Sequence, residues 1–144
     1  MTDEIIDRLK SLHTRAIDAR KGYEEALNEA EGRGLTPLFR EMIELHETNA
    51  DELSDYLVRA GVQLNEAGSF MSVIHRTIMD VRSLFNGLDA SMLPGLIDGE
   101  ERNKSGYEGA LEMQNLPADL RSLLAKQCHR IASAIARMQM MKSS

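Results

Sequence analysis

The regular spacing of apolar residues restricts the possible folds of this chain more than any other feature. From Ile5 onward these residues recur at alternating intervals of four and three, and four later stretches repeat the pattern. That spacing places apolar side chains along one stripe of an α-helix, which can then pack lengthwise against its neighbours. In the first stretch the stripe consists of Ile5, Leu9, Leu12, Ala16, Ala19, Tyr23, Ala26 and Ala30. The pattern therefore predicts an all-α protein built from long helices.

Capping residues and helix breakers divide the chain into five predicted helices. Their stripes run from Ile5 to Ala30, Phe39 to Ala60, Met71 to Leu88, Leu93 to Ala110 and Leu120 to Met138. Gly61 is expected to end the second helix, and the fourth is expected to begin near Ser91. Thr2 is expected to cap the first helix. Thr36 is expected to cap the second, with Pro37 at its first helical position. Because no linker or low-complexity tract separates these segments, we expect residues 1–144 to form a single domain.

A short repeat relates the two ends of the chain. The segment GYEEAL at residues 22–27 returns as GYEGAL at residues 106–111. When the copies are aligned, the first two predicted helices superpose on the last two, so the chain contains two similar helical hairpins. Two hairpins joined by one long connection predict a four-helix bundle of helices one, two, four and five, with helix three as the crossover. Helices two and four are then parallel, and the hairpin loops lie at opposite ends.

Four glycines interrupt the fourth predicted helix, namely Gly95, Gly99, Gly106 and Gly109. Each costs about 1 kcal/mol relative to alanine in a helix interior. We therefore expect packing to hold this helix in place, with the missing side chains allowing a neighbouring helix to approach closely.

Polar residues interrupt the apolar stripes near the middle of the predicted bundle. His46 and Asn49 lie on the stripe of helix two, and Glu100 and Asn103 lie on the stripe of helix four. Because these two helices are expected to be parallel, the four side chains are predicted to lie at the same level. A buried histidine, glutamate and asparagine layer of this kind would fix the register of the helices, since each unpaired group would cost about 1–3 kcal/mol.

The two tyrosines of the repeat, Tyr23 and Tyr107, are candidates to add hydroxyl groups to this polar layer. Packing as aromatic filler against the facing helices is the favoured interpretation of both rings. In the fifth predicted helix the apolar stripe passes through Gln127 or Cys128, and the spacing leaves that choice open.

Charge and composition exclude several classes of partner. The net charge of −6 and a pI near 5.2 argue against nucleic acid, which requires a basic face. No apolar run approaches the roughly 20 residues that cross a bilayer, and the acidic first ten residues lack the apolar segment of a signal peptide. Cys128 is the single cysteine, so we expect no disulfide framework and a cytoplasmic protein.

Three stretches carry a resemblance to a known family. They are the helix containing Gly22-Tyr23, the segment SFMSVIHR around His75-Arg76, and the stretch GEERNKSGYEGAL that begins at Gly99. Over nearly its whole length the chain resembles a bacterial family of uncharacterised proteins, a domain of unknown function within the ferritin-like superfamily. The resemblance implies a ferritin-like four-helix bundle. It implies no activity, because function does not follow from fold.

The chain lacks the ligand pattern of ferritin-like di-iron proteins. Those proteins supply a Glu from each of two helices and a Glu-x-x-His pair from each of the other two. Here Ile43 stands three residues before His46, Lys126 stands three residues before His129, and Glu100 is the acid that lies squarely on a stripe. No catalytic residue, cofactor or metal ligand is therefore predicted, and His46 and Glu100 are the candidates if iron or zinc binds.

Two hypotheses of function remain open from the sequence. The favoured one is a non-catalytic helical bundle that acts through self-association, as a homodimer, or through a protein partner. Its basis is the width of the apolar stripes and the methionine-rich end ARMQMMKSS. The alternative is a metal-binding ferritin-like protein, an oxidase or a store, with a degenerate site.

Overall fold

A computed structural model of the protein describes residues 1–30, 34–64 and 90–143. Within these ranges the regular elements are α1 (Asp3–Ala30), α2 (Thr36–Arg59), a 3₁₀ turn (Ala90–Met92), α3 (Leu93–Leu111) and α4 (Ala118–Ser143). No β-strand occurs among these residues, and the prediction of an all-α protein is confirmed. The third predicted helix, Met71 to Leu88, lies outside the described residues, so the predicted fourth and fifth helices correspond to α3 and α4.

A side chain caps the start of α1, whereas α2 and α3 begin without a side-chain cap. Thr2 caps α1 as predicted, because its Oγ1 accepts a hydrogen bond of 3.2 Å from the Ile5 amide. The prediction that Thr36 caps α2 is wrong by one residue. Leu35 occupies the flanking position, and Thr36 is the first helical residue. Helix ends are defined only to within one or two residues, so the sequence pattern does not distinguish Leu35 from Thr36 at this boundary.

The described turns use residues that tolerate left-handed backbone geometry. Gly61 follows α2 with a φ of 83°, at the position predicted to end that helix. The Val62 amide then donates to the Leu57 carbonyl at 2.9 Å, which closes the helix end. Asn115, with a φ of 66°, lies between α3 and α4, and asparagine is among the few residues besides glycine that adopt this conformation readily.

The contacts between α1 and α3 show that these two helices are antiparallel. Arg15 Nη2 donates to the Arg102 carbonyl at 3.0 Å. Further along α1, the Tyr23 hydroxyl donates to Glu100, which precedes Arg102 in α3.

Helices α2 and α4 are also antiparallel and are joined by polar side chains of opposite charge. α2 carries six acidic and two basic side chains, whereas α4 carries one acidic side chain and five lysines or arginines. The pairs along the seam are Glu41–Arg137, Glu52–Arg130, Glu52–Lys126 and Tyr56–Asp119.

The directions of the helices determine how the two hairpins are arranged relative to each other. α1 and α2 form one hairpin, and α3 and α4 form the other. Because α1 is antiparallel to both α2 and α3, α2 and α3 run parallel to each other, as predicted for the corresponding helices. The α1–α2 and α3–α4 loops consequently lie at opposite ends, and the segment between Arg59 and Leu93 joins opposite ends of the bundle.

The buried apolar residues form two clusters, one towards each end. Each cluster contains residues from all four helices. The first consists of Tyr23, Ala26, Leu35, Leu38, Phe39, Met42, Met92, Leu93, Leu96, Ala134 and Met138. The second consists of Ile5, Leu9, Leu12, Leu53, Leu57, Tyr107, Ala110, Leu120, Leu124, Ile131 and Ile135. Most of the predicted stripe residues are in these two sets, and buried polar residues lie between them.

The predicted stripe of α2 continues from Leu53 through Tyr56 and Ala60, and it departs from the structure near the end of the helix. Leu57 is fully buried, whereas Tyr56 is partly exposed and Ala60 is exposed. A strict four-three pattern repeats every 3.5 residues, and a straight helix turns once per 3.6, so the buried face drifts along the helix. In α4, where the spacing left two possibilities open, Gln127 is buried and Cys128 is only partly buried.

Two glycines of α3 leave space that side chains of α1 occupy. A Cβ added to Gly106 would lie 2.8 Å from Arg15 Nη1 and 3.3 Å from Leu12 Cδ2, and one added to Gly109 would lie 2.8 Å from Arg8 Nη1. Gly99 differs, because no described atom lies within 4 Å of its added Cβ. Side chains of α1 therefore lie beside Gly106 and Gly109 but not beside Gly99.

Candidate functional site

Glu100 is the centre of a buried hydrogen-bond cluster in the middle of the bundle. Its side chain is 2% exposed. The Tyr23 hydroxyl of α1 donates to Oε2 at 2.6 Å, and His46 Nε2 of α2 lies 2.9 Å from Oε2 and 3.1 Å from Oε1. Asn103, one turn further along α3, donates from Nδ2 to Oε1 at 3.1 Å. We call these four residues the glutamate cluster.

The electrostatics of the glutamate cluster favour an ionised carboxylate. Burial raises the pKa of Glu100, but the charge of His46 and hydrogen bonds from His46, Tyr23 and Asn103 outweigh burial and leave the pKa below its ordinary value. Burial, followed by the nearby charge of Glu100, raises the pKa of the Tyr23 hydroxyl well above its ordinary value. The tyrosine therefore stays a neutral donor, and the pair with His46 is ionic whenever the imidazole is protonated.

Tyr23 combines two roles that the sequence analysis weighed against each other. Its hydroxyl donates to Glu100, while its ring packs edge-on against Phe39 with centroids 5.1 Å apart. The same ring stacks on His46 at 6.0 Å. Aromatic packing thus fixes the position from which the hydroxyl reaches the carboxylate.

A second polar cluster lies beside the first and connects α2, α3 and α4. The Tyr107 hydroxyl donates to Gln127 Oε1 at 2.8 Å, and Gln127 Nε2 donates to the Asn49 carbonyl and to Glu52 Oε1, each at 3.1 Å. Arg130 Nη1 donates to Asn49 Oδ1 at 2.8 Å and pairs with Glu52 at 2.6 Å. We call Asn49, Glu52, Tyr107, Gln127 and Arg130 the glutamine cluster.

Hydrogen bonding and burial shift the pKa values of different residues in the glutamine cluster. The hydrogen bond from Arg130 is the main cause that lowers the pKa of Glu52 to about 2. Burial is the main cause that raises the pKa of the Tyr107 hydroxyl. At neutral pH the cluster therefore contains an ionised Glu52, a neutral Tyr107 and a charged Arg130.

The six residues predicted to form one polar layer are divided between these two clusters. The glutamate cluster contains Tyr23, His46, Glu100 and Asn103, and the glutamine cluster contains Asn49 and Tyr107. Sequence reasoning did not identify Glu52 or Arg130, because neither lies on an apolar stripe. The excess of acidic side chains on α2 and of basic side chains on α4 is the sequence signal that could have indicated Glu52 and Arg130.

The candidate metal ligands His46 and Glu100 are adjacent, but they supply only one nitrogen and one carboxylate. Over residues 1–30, 34–64 and 90–143 there is no group of three or more His, Cys, Asp and Glu side chains that could hold a metal ion. Asp18, at the flank of the α1 stripe, is a second fully buried acid. His129 is exposed, and burial raises the pKa of the Cys128 thiol.

The arrangement of the glutamate cluster favours holding helices together over reacting with a substrate. The carboxylate accepts hydrogen bonds from side chains on α1, α2 and α3, and the group is enclosed between two apolar clusters. A buried carboxylate that is already paired and hydrogen-bonded is stable in its ionised form.

The helices and their polar centre define an all-α bundle with a buried charged core. The family model described as "Domain of unknown function (DUF2383)" matches residues 4–113, and the chain belongs to this family. This confirms the resemblance to an uncharacterised family. No curated protein and no solved structure matches the chain significantly. In the described part of the chain, no helix is both long and apolar enough to span a membrane.

Proposed function

We propose that this protein is a ferritin-like helical bundle with a structural polar centre, which acts by associating with itself or with a protein partner. The ferritin-like assignment is supported by the parallel α2 and α3, since one long crossover connection is characteristic of ferritin-like bundles. The bacterial origin implied by the resemblance belongs to the same proposal.

The hydrogen bonds of Glu100 are the single observation on which the non-catalytic role rests. Side chains from α1, α2 and α3 already satisfy the Glu100 carboxylate. A metal would have to replace the Tyr23 and Asn103 contacts, and a substrate would have to enter between two apolar clusters. A satisfied polar group instead specifies how the helices align.

Exposed apolar side chains support association as the mode of action. Met140 is 74% exposed near the end of α4, and Val58 is 61% exposed near the end of α2. The acidic charge balance favours a protein over nucleic acid as the partner. A cytoplasmic location is proposed as well, supported by Cys128, which is the single cysteine and is free.

Sedimentation equilibrium of the full chain tests self-association. We expect a particle of twice the 16.1 kDa chain mass at micromolar concentration. Met140→Lys should shift the equilibrium towards the monomer, because it places a charge on an exposed apolar position. Gln139→Lys, at the exposed neighbouring position, is the matched control. A monomer at all concentrations would refute self-association and leave a protein partner as the proposed mode.

The alternative function, a ferritin-like metal-binding oxidase or store, is favoured by one observation. His46 and Glu100 place a nitrogen ligand and a carboxylate ligand 2.9 Å apart at the buried centre. Iron or zinc are the metals compatible with this pair of ligand types.

Elemental analysis of protein purified without chelators, followed by iron and zinc titration, distinguishes the two functions. The structural proposal predicts no stoichiometric metal. Stoichiometric metal that is lost in His46→Ala or Glu100→Ala, and retained in His129→Ala, would establish the alternative. His129 is the appropriate control because it is an exposed histidine on α4, away from the glutamate cluster.

A further inference from the structure

A small cavity lies between the glutamate cluster and the glutamine cluster. Its volume is about 10 Å³, and residues of all four helices line it, namely Leu12, Arg15, Ala16, His46, Asn103, Tyr107 and Ile131. His46 and Asn103 belong to the glutamate cluster, whereas Tyr107 belongs to the glutamine cluster. A cavity of roughly 10–15 Å³ is the smallest that accommodates a water molecule, so this one is large enough for a single water.

The polar lining residues retain unused hydrogen-bonding capacity. The amide of Asn103 has two N–H donors and one carbonyl acceptor, of which one N–H is engaged by Glu100. The Tyr107 hydroxyl donates to Gln127 and accepts from the Asn49 side chain, which leaves one lone pair of its oxygen as an acceptor. A water molecule offers two donors and two acceptors, and can therefore bond to both side chains at once.

The cavity can exchange its content with solvent between α1 and α3. Five of its lining residues are buried, and the two that keep partial exposure are Arg15 and Asn103. Arg15 is held at this position because its guanidinium lies over Gly106 and donates to the Arg102 carbonyl. Because partly exposed side chains line the opening, a water molecule can enter without rearrangement of the helices.

We propose that this cavity binds one exchangeable water molecule, which joins the two polar clusters into a single hydrogen-bonded chain across all four helices. The chain runs from Tyr23 of α1 through Glu100 and Asn103 to the water, and from Tyr107 of α3 to Gln127 of α4. Buried waters of this kind typically make about three hydrogen bonds to polar groups that would otherwise be unsatisfied.

Nuclear Overhauser effects from water to alanine methyl groups in the full-length protein test this proposal. The Ala16 methyl lines the cavity, so we expect a water cross-peak there. The Ala26 methyl is the matched control, because it is on the same helix and equally buried, within an apolar cluster. No cross-peak is expected at Ala26. Equal signals at the two methyl groups, or no signal at Ala16, would refute the proposal.

A high-resolution crystal structure provides the second measurement. It should contain one ordered water within hydrogen-bond distance of Asn103 and Tyr107, and Asn103→Leu should lose this water and the Ala16 cross-peak. Leucine is nearly isosteric with asparagine and removes its polar atoms. An empty cavity, a metal ion in place of the water, or an unchanged water in Asn103→Leu would overturn the proposal.

Discussion

Glu100 and the two repeat tyrosines show how neighbouring side chains determine the role of a residue. Tyr23 and Tyr107 occupy equivalent positions of the GYExAL repeat, yet Tyr23 donates to a carboxylate on α3 and Tyr107 donates to an amide on α4. Glu100 stays ionised in the interior because an imidazole, a hydroxyl and an amide surround it. Removing any of these partners leaves a buried polar atom unsatisfied, which is where the largest effects of substitution are expected.

Glu100→Gln should lower the free energy of unfolding by about 1–3 kcal/mol, because the amide removes the negative charge that pairs with His46 and accepts fewer hydrogen bonds. Urea denaturation monitored by circular dichroism measures the change. Glu101→Gln is the control, since Glu101 is exposed and its ion pair with Lys104 is long, at 3.8 Å. We expect the control to change stability by less than about 0.5 kcal/mol. Equal effects of the two substitutions would contradict the structural role of Glu100.

The stability of the protein should fall as the pH drops below about 4.5. Glu100 and Glu52 both have folded-state pKa values below the ordinary value of 4.5, with Glu52 at about 2. The unfolded chain therefore binds protons more readily, so the stabilisation is fully present above pH 4.5 and is lost towards pH 2. Urea denaturation across this pH range should show a shallower loss in a Glu52→Gln, Glu100→Gln double variant. An identical slope in the two proteins would contradict the assignment.

Two helix pairs are held together by different physical means. α1 approaches α3 over Gly106 and Gly109, where missing side chains leave room for arginine side chains. α2 and α4 instead combine an acidic helix with a basic one, and their charged groups pair along the seam. Substitution of glycines in α3 should therefore change the stability of the protein, whereas ionic strength should change the stability that the α2–α4 seam contributes.

Gly99→Ala should stabilise the protein by up to about 1 kcal/mol, because alanine is the better helix former and no described atom lies within 4 Å of the added Cβ. Gly106→Ala is the matched comparison on the same helix. Its Cβ would meet Arg15 and Leu12, so we expect a smaller gain or a loss. Thermal denaturation of the two variants provides the ranking. A larger gain at Gly106 would show that the α1–α3 contact is not close.

Arg130→Gln should reduce stability by about 1 kcal/mol at low ionic strength, because Arg130 bonds to both Asn49 and Glu52. The loss should shrink at high salt, since salt screens partly exposed charges. Arg137→Gln is the control, because Arg137 and its partner Glu41 are each more than two-fifths exposed. Denaturation at two salt concentrations checks both statements. A salt-independent loss at Arg130 would assign the effect to packing.

The whole molecule is organised around a polar centre between two apolar clusters that each draw on all four helices. The two hairpins share their core within the described residues, because each apolar cluster combines side chains of α1 and α2 with side chains of α3 and α4. This arrangement is what the proposed structural role requires. A core shared by both hairpins is also what a single domain requires, and the assignment of residues 1–144 to one domain stays a prediction.

Unfolding should be a single cooperative transition, because each apolar cluster includes both hairpins. Near-ultraviolet circular dichroism reports on the tyrosines, since the chain has three tyrosines and no tryptophan. Tyr23 lies in one cluster and Tyr107 in the other. The near- and far-ultraviolet signals should therefore have the same midpoint. Separate midpoints, assigned with Tyr23→Phe and Tyr107→Phe, would show that the two ends unfold independently.

Much of the helical framework could be predicted because it depends on local periodicity. Ile5, Leu9 and Leu12 are buried as their spacing predicts, and the α2 stop at Gly61 follows from the conformational freedom of glycine. The hairpin repeat also predicted the relative directions of α2 and α3. The predicted stripe was wrong at Tyr56 and Leu57, because the mismatch between a 3.5-residue pattern and a 3.6-residue helical turn grows along the helix. The predicted start of α2 was wrong at Thr36, where the helix boundary differs by one residue.

The amino-acid pattern was enough to specify four long helices, their buried stripes and the presence of His46, Asn49, Glu100 and Asn103 near the middle of the bundle. It could not specify which of these residues bond to one another, because that depends on the rotation and axial shift of each helix against its neighbours. A shift of one residue turns a helix by about 100°. Packing of the four helices places His46 on Glu100 and directs Asn49 towards Arg130, which divides the expected single layer into two clusters.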